Sequence, residues 1–295
     1  MIRRGICLLL RFALRVYFRR IEVAGLEHVP LDTPLVFVLN HPNALVDPVF
    51  LLCLTPRRVS FLAKAPLFRM PVLGSIVRAL DCLPVYRSQD EGEDTSKNVE
   101  TFALARELLA RGGTLAVCPE GVSHDELRLK PLKSGTARIA LGTVSSGESL
   151  NLKIVPAGLY YTAKTTFRSS ALLYFGKPID VQPVELDASG NPPRKATRAL
   201  SDQIETALRD VILEAEHKEA LALIEKADRM FFSEAPANKD ERSLAREMKL
   251  RRQFLEGYAL QRAQAPQRLA TLEARIARFE QELEQAGLDP RSLSP

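Results

Sequence analysis

The chain contains no tryptophan, and four histidines and four cysteines are few for 295 residues. Cys7, Cys53, Cys82 and Cys118 stand singly inside apolar stretches, so neither a disulfide framework nor a paired-cysteine zinc site is expected. No Gly-x-Ser-x-Gly occurs, which removes the nucleophile elbow of a serine hydrolase. Nor is there an uninterrupted apolar run of the roughly 20 residues that a spanning helix needs. What the chain has in ordinary measure is material for a core. Its 46% hydrophobic content excludes both a disordered chain and a polytopic membrane protein. A net charge of +5 is mild, so where the charge sits says more than its sum. With no recognition motif and mixed charge in the C-terminal part, a nucleic-acid partner is not expected.

Acidic residues are missing altogether from residues 1–20, which hold Arg3, Arg4, Arg11, Arg15, Arg19 and Arg20 between aliphatic and aromatic residues. Wound as a helix, Arg4, Arg11 and Arg15 share one stripe, and Ile6, Leu9, Ala13 and Tyr17 fall on the opposite one. No small-residue cleavage site follows, which argues against a signal peptide. The expectation is an amphipathic helix in the headgroup plane with its guanidinium groups on anionic lipid, placing the protein peripherally or monotopically on the cytoplasmic face of a membrane. The alternative is a helix packed on its own domain.

Between residues 21 and 181, short apolar runs alternate with helical patterns. Candidate strands are Ile21 to Ala24, Leu35 to Leu39, Val59 to Leu62, Cys82 to Tyr86, Leu115 to Cys118, Ile154 to Tyr161 and Ala171 to Phe175. Candidate helices are Val49 to Leu54, Leu67 to Ala79, Lys97 to Ala110 and Thr136 to Val144, the third stopped by Gly112-Gly113. The alternation implies an α/β fold, a mixed sheet flanked by helices. A polar linker, 182–195, leads into an all-helical region, 196–295, broken at Pro236 to Asp240. There Leu269, Leu272, Ile276, Phe279 and Leu283 form a short seam that suits either packing on the domain or a homodimer.

Two stretches carry candidate chemistry. In the first, the run Leu35 to Leu39 ends in Asn40-His41-Pro42-Asn43, and Asp47-Pro48 follows within reach. A carboxylate on one imidazole nitrogen fixes the tautomer of a general base. Asp47 also reads as the N-cap of the next helix with Pro48 at its first position, a purely structural use. In the second stretch, Leu115 to Cys118 runs into Pro119-Glu120-Gly121-Val122-Ser123-His124-Asp125, and Lys133 and Gly135 open a helix whose amides suit a phosphate. Arg87 at the end of another strand offers a planar fork for the same anion. Cys118 near His124 is a conceivable nucleophile, more simply read as a small buried hydrophobe. A metal hydrolase built from His41, Asp47, His124 and Asp125 lacks a familiar ligand spacing.

Together these blocks resemble the glycerolipid acyltransferase superfamily over about residues 35 to 178. The resemblance implies a catalytic dyad at His41 and Asp47, acceptor-phosphate contacts at Arg87, and a Pro-Glu-Gly block at Glu120 and Gly121. Pro156 corresponds to a proline used near the acyl chain, and Lys64, with Leu67, Phe68, Pro71 and Gly74, to the segment after the second strand. Five residues separate His41 from Asp47 where the commonest form has four, and Ser123 stands where that form has arginine. Both departures are similar to fungal-type glycerol-3-phosphate and dihydroxyacetone-phosphate acyltransferases, matched also by His124, Asp125, Pro131, Leu132, Lys133 and Gly135. The family implies transfer of an acyl group from acyl-CoA or acyl carrier protein to a hydroxyl of glycerol 3-phosphate or 1-acylglycerol 3-phosphate, in phospholipid biosynthesis. Arg87, Glu120, Gly121, Ser123, Lys133 and Lys64 would hold the acceptor, and no metal or other cofactor is expected. The competing expectation is a catalytically silent, membrane-associated lipid-binding protein of the same fold.

Overall fold

The computed structural model describes residues 2–124, 126–146, 150–215, 218–231 and 243–288. The chain divides into two compact units, Met1–Ile212 and Leu213–Pro295. The first is built on an eight-stranded sheet: β1 (Arg20–Ala24), β2 (Leu35–Leu39), β3 (Val59–Lys64), β4 (Leu83–Val85), β5 (Thr114–Val117), β6 (Lys153–Tyr161), β7 (Ser170–Phe175) and β8 (Ile179–Asp180). Their order is β1-β7-β6-β2-β5-β3-β4, with β8 also on β6. The central strands β6, β2, β5, β3 and β4 run parallel, whereas β7 and β8 are antiparallel to β6. Val38 of β2 lies opposite Val117 of β5 on one side and Pro156 of β6 on the other. β2 and β5 therefore end together while β6 runs on to Tyr161 beside the loops that follow them, and this rim is where open parallel sheets place their sites.

Strand alternation divides the core into two layers. Val36, Val38, Leu115, Val117 and Ile154 face one side. There they meet α5 (Asn98–Ala110), α6 (Gly135–Val144) and α7 (Arg194–Arg209). Leu35, Phe37, Leu39, Val155 and Ala157 face the other. They pack with α1 (Ile2–Tyr17) and α2 (Val46–Leu54) through Leu14, Phe18, Phe50 and Leu51. Burial on both faces explains why these strands read as unbroken apolar runs.

Three elements differ from expectation. The helix anticipated over 67–79 is two: α3 (Ala65–Arg69) and α4 (Pro71–Ala79), with Met70 between them extended at φ −72° and ψ 135°. The ring of Pro71 disfavours a helical residue before it. The strand β8, two residues long, is too short to show a period. The expected boundary at residue 195 also moves, because α7 belongs to the first unit: Leu200, Ile204 and Leu208 are buried in its core. The anticipated linker, by contrast, has no regular structure over 182–193 and turns where Asp187 accepts the N–H groups of Ser189 and Asn191.

The second unit contains α8 (Lys218–Phe231), α9 (Leu244–Gln264) and α10 (Pro266–Gln285). Of the anticipated seam on α10, Leu269 and Leu283 are buried, but Leu272 and Phe279 are exposed. The break at 236–240 lies outside the described residues.

Candidate active site

Hydrogen bonding between β2 and β6 continues one residue beyond the strand through a side chain. Asn40 Nδ2 donates to Leu159 O at 3.0 Å, and Asn40 Oδ1 accepts the Leu159 N–H at 2.8 Å. The next residue, His41, is thereby delivered to the rim. Its Nδ1 lies 2.9 Å from Asp47 Oδ2, which also accepts the Asn43 N–H at 2.7 Å. The second oxygen, Oδ1, accepts the Tyr161 hydroxyl at 2.7 Å. Asp47 is fully buried and accepts from three donors, one of them the imidazole, which makes Nδ1 the ring nitrogen that carries the hydrogen. The other nitrogen, Nε2, is left to act on a proton.

The capping role expected for Asp47 is not what the structure shows. The N-cap of α2 is Leu45, without a side-chain bond, and Asp47 sits inside the first turn with its carboxylate aimed at His41. Pro48 is the third helical residue, where its missing N–H is still one of the unpaired four. Burial disfavours a charged His41 ring, but the Cys118 sulfur and the Asp47 carboxylate outweigh it, and the pKa is pushed up to about 10. Cys118, just past the end of β5, thus adjoins His41, whereas the side chain of His124 pairs with Glu120.

The Pro-Glu-Gly block turns inward. Glu120 is 2% exposed. Its Oε1 accepts the His41 backbone N–H at 3.3 Å, and its Oε2 accepts the Lys130 N–H at 2.8 Å and pairs with His124 Nε2. The His124 N–H in turn donates to His41 O at 3.3 Å. Glu120 therefore clamps the backbone of the base, with protein donors on both of its oxygens. Ser123 Oγ accepts the Ala44 N–H at 2.9 Å and ties the same loop. Gly121 adopts φ +72°, a conformation that favours glycine, and the nearest atom to a Cβ added there would be Lys133 Cγ at 3.6 Å.

Beside this corner lies a basic one. The exit of β4 is pinned by Asn98 of α5, which pairs with both backbone polar groups of Tyr86 at 2.9 and 2.6 Å. Arg87 follows, its Nε and Nη2 on the two oxygens of Asp90 at 2.7 and 2.6 Å and its Nη1 on Gly121 O at 2.6 Å. Arg87 holds the Asp90 carboxyl below its ordinary pKa, and Lys64, exposed at the end of β3, adds to that effect. Lys133, also exposed, precedes α6. Of the residues named from sequence, Pro156 is the one set apart. It is in mid-strand against Gly176, and the alternation of β6 puts it on the face opposite Tyr161.

Asn40, Tyr161, Asp90 and the His41 contact of Cys118 were not foreseen as parts of the site. Only Asn40 carried a local signal, its place directly before the histidine. Among the described residues, no group of three or more His, Cys, Asp or Glu is arranged to hold a metal ion, and Asp125 lies outside them.

A central parallel sheet thus presents a His/Asp dyad and a basic corner on one rim, an arrangement that can move a proton beside a bound anion. Residues 20–160 match the family model described as Acyltransferase. The chain is 27% identical to glycerol-3-phosphate O-acyltransferase 1 of Saccharomyces cerevisiae over 74% of its own length and 40% of that protein. It is 29% identical to a chloroplastic 1-acyl-sn-glycerol-3-phosphate acyltransferase of Brassica napus over 50% of this chain and 39% of that one. The crystal structure of the 1-acyl-sn-glycerophosphate acyltransferase of Thermotoga maritima shares the fold, with a TM-score of 0.51 and 21% identity over 71% of this chain and 78% of that one. The match over residues 20–160 takes in the blocks at His41, Asp47, Arg87, Glu120 and Pro156 on which the resemblance to acyltransferases was drawn. The chain spans about two fifths of the length of the yeast and plant relatives described.

Proposed function

We propose that this protein transfers a fatty acyl group from acyl-CoA or acyl carrier protein to a hydroxyl of glycerol 3-phosphate or 1-acylglycerol 3-phosphate, a step of phospholipid biosynthesis. The observation that carries the reading is the dyad: a buried carboxylate bonded to Nδ1 of a histidine placed just past a strand end, which leaves Nε2 for the proton. In its neutral form His41 takes the hydroxyl proton on Nε2 while the oxygen attacks the thioester carbonyl. The tetrahedral intermediate then expels the thiolate, which recovers that proton. Asp47 stabilises the imidazolium between the two transfers. The acceptor phosphate is held by Arg87, Lys133 and Lys64, with Ser123 and the amides that open α6 nearby. Glu120 and Gly121 shape the loop that carries these groups. Pro156, in mid-strand, is the residue assigned to the acyl pocket, and the chemistry calls for no metal or other cofactor.

The membrane is the natural partner of α1. Its Leu10, Leu14 and Tyr17 pack on the domain, and Arg3 and Arg11 bond backbone carbonyls of Val59 and Cys53. A second apolar stripe faces outward: Leu8, Leu9 and Phe12 are 67, 68 and 66% exposed, with Arg4 and Arg15 alongside. One face of this helix thus packs on the domain, and the outward one suits an anionic lipid surface. No helix among the described residues is long and apolar enough to cross a membrane. Exposed Leu272 and Phe279 on α10 would serve a homodimer, which sedimentation equilibrium reads directly.

The test is purified protein with radiolabelled acyl-CoA or acyl carrier protein, offered glycerol 3-phosphate, dihydroxyacetone phosphate, 1-acylglycerol 3-phosphate and lysophosphatidylcholine in parallel. Transfer to a phosphorylated glycerol acceptor is expected. Vesicle binding without transfer to any acceptor would leave a lipid-binding protein of the same fold.

A further inference from the structure

Tyr161 takes no part in the proton transfer just described, yet its hydroxyl ends 2.7 Å from Asp47 Oδ1. Phenylalanine would fill the surrounding apolar space and need no partner. The hydroxyl is therefore the informative part of the side chain. Three elements fix where it points. The backbone of Tyr161 is paired to Ala171 across β6 and β7. Its ring stacks on Phe18, just past the end of α1, at 5.7 Å and 28° between planes, and meets Phe50 of α2 edge-on at 5.6 Å. Phe18 and Phe50 touch each other at 5.2 Å, which closes the aromatic cluster.

We propose that Tyr161 is a positioning residue of the dyad. Its hydroxyl locks the Asp47 carboxylate and shares its charge, and Phe18 holds its ring, so that the end of α1 is mechanically tied to the base. The proposal rests on His41 being the general base. Burial and Asp47 push the phenol well above its ordinary pKa, so it stays a donor throughout turnover. The titratable groups facing His41 are Asp47 from α2 and Cys118 from the end of β5. Glu120 and His124 touch its backbone, and Lys164 donates to Pro42 O at 3.2 Å in the same loop. Tyr161 acts on His41 only through Asp47.

The experiment uses the full chain with Tyr161→Phe, which keeps the ring and its packing. The His41 ring is titrated by NMR, and kcat and acceptor KM are measured against pH. With its carboxylate no longer shared, His41 is expected to titrate about half a unit to one unit higher. The rise of activity with pH should move by the same amount, and kcat should fall about 10-fold with acceptor KM unchanged. Phe18→Leu, which spares the hydroxyl but removes the stacked ring, should lower kcat about 2- to 5-fold in the same direction. If Tyr161→Phe titrates and turns over like the parent, the hydroxyl is only a satisfied core group and the proposal falls. If Phe18→Leu leaves kcat at the parent value, the tie to α1 falls. A shifted His41 midpoint in a protein whose parent transfers no acyl group would keep the positioning role and sink the acyltransferase reading instead.

Discussion

At the His41 corner, Asp47 and Glu120 each accept three protein donors and are closed to solvent. At the Arg87 corner, the guanidinium is held by Asp90, a carboxylate that is itself part-exposed, and Lys64 and Lys133 stand open. Both corners lie on the same rim, His41 just past β2, Glu120 past β5 and Arg87 past β4. A base must have its geometry before the substrate arrives, because orientation supplied in advance lowers the barrier. A phosphate site must be aimed but replaceable. Asp90 fits that second need, since it aims the Arg87 fork while occupying it with a group that a phosphate can displace.

The contrast can be broken at either corner. The largest effect is expected from Asp47→Asn, which cannot orient the imidazole or balance its charge: kcat should fall about 10³- to 10⁴-fold in steady-state assays with the melting temperature little changed. Arg87→Ala should act on binding, raising acceptor KM about 10- to 100-fold with kcat within a few-fold. An equal loss in kcat would erase the distinction between the corners. The pH dependence sharpens the first corner. Only a neutral His41 can accept a proton, and its pKa is pushed up to about 10, so kcat/KM should climb roughly tenfold per pH unit until that value is reached. Cys118→Ala removes one of the two groups that raise it and should bring the climb to an end about one unit lower. Asp90→Asn should have the smallest effect, lowering acceptor KM about 2- to 5-fold by freeing the fork. A higher KM would show that Asp90 orients Arg87 more than it competes for it.

The same contrast governs how much was legible in the sequence. β2 was read at its observed bounds because burial on both faces leaves a continuous apolar run, and His41 and Asp47 stood out because their spacing within one loop is local information. The tie from Tyr161 to Asp47 spans 114 residues and exists only because β6 lies beside β2. Nothing in the neighbourhood of Tyr161 announces it. Glu120 was placed on the acceptor because its residue type suits that use. Its orientation is set by the N–H groups of His41 and Lys130, which no pattern of side chains encodes. For α1 the helical period gave the faces but not which of them would meet the domain, and Leu9 and Ala13, expected on the same stripe as Tyr17, point outward. For α7 the apolar spacing was clear, yet only the sheet shows that Leu200, Ile204 and Leu208 complete the first unit.

The central claim is that His41 is the base that moves the acceptor proton. It is tested most directly by single-turnover acyl transfer with parent and His41→Ala at saturating acceptor, with folding checked by circular dichroism. The account predicts a fall of about 10²- to 10⁴-fold in the transfer rate with an unchanged melt. Transfer at the parent rate by a folded His41→Ala protein would contradict it.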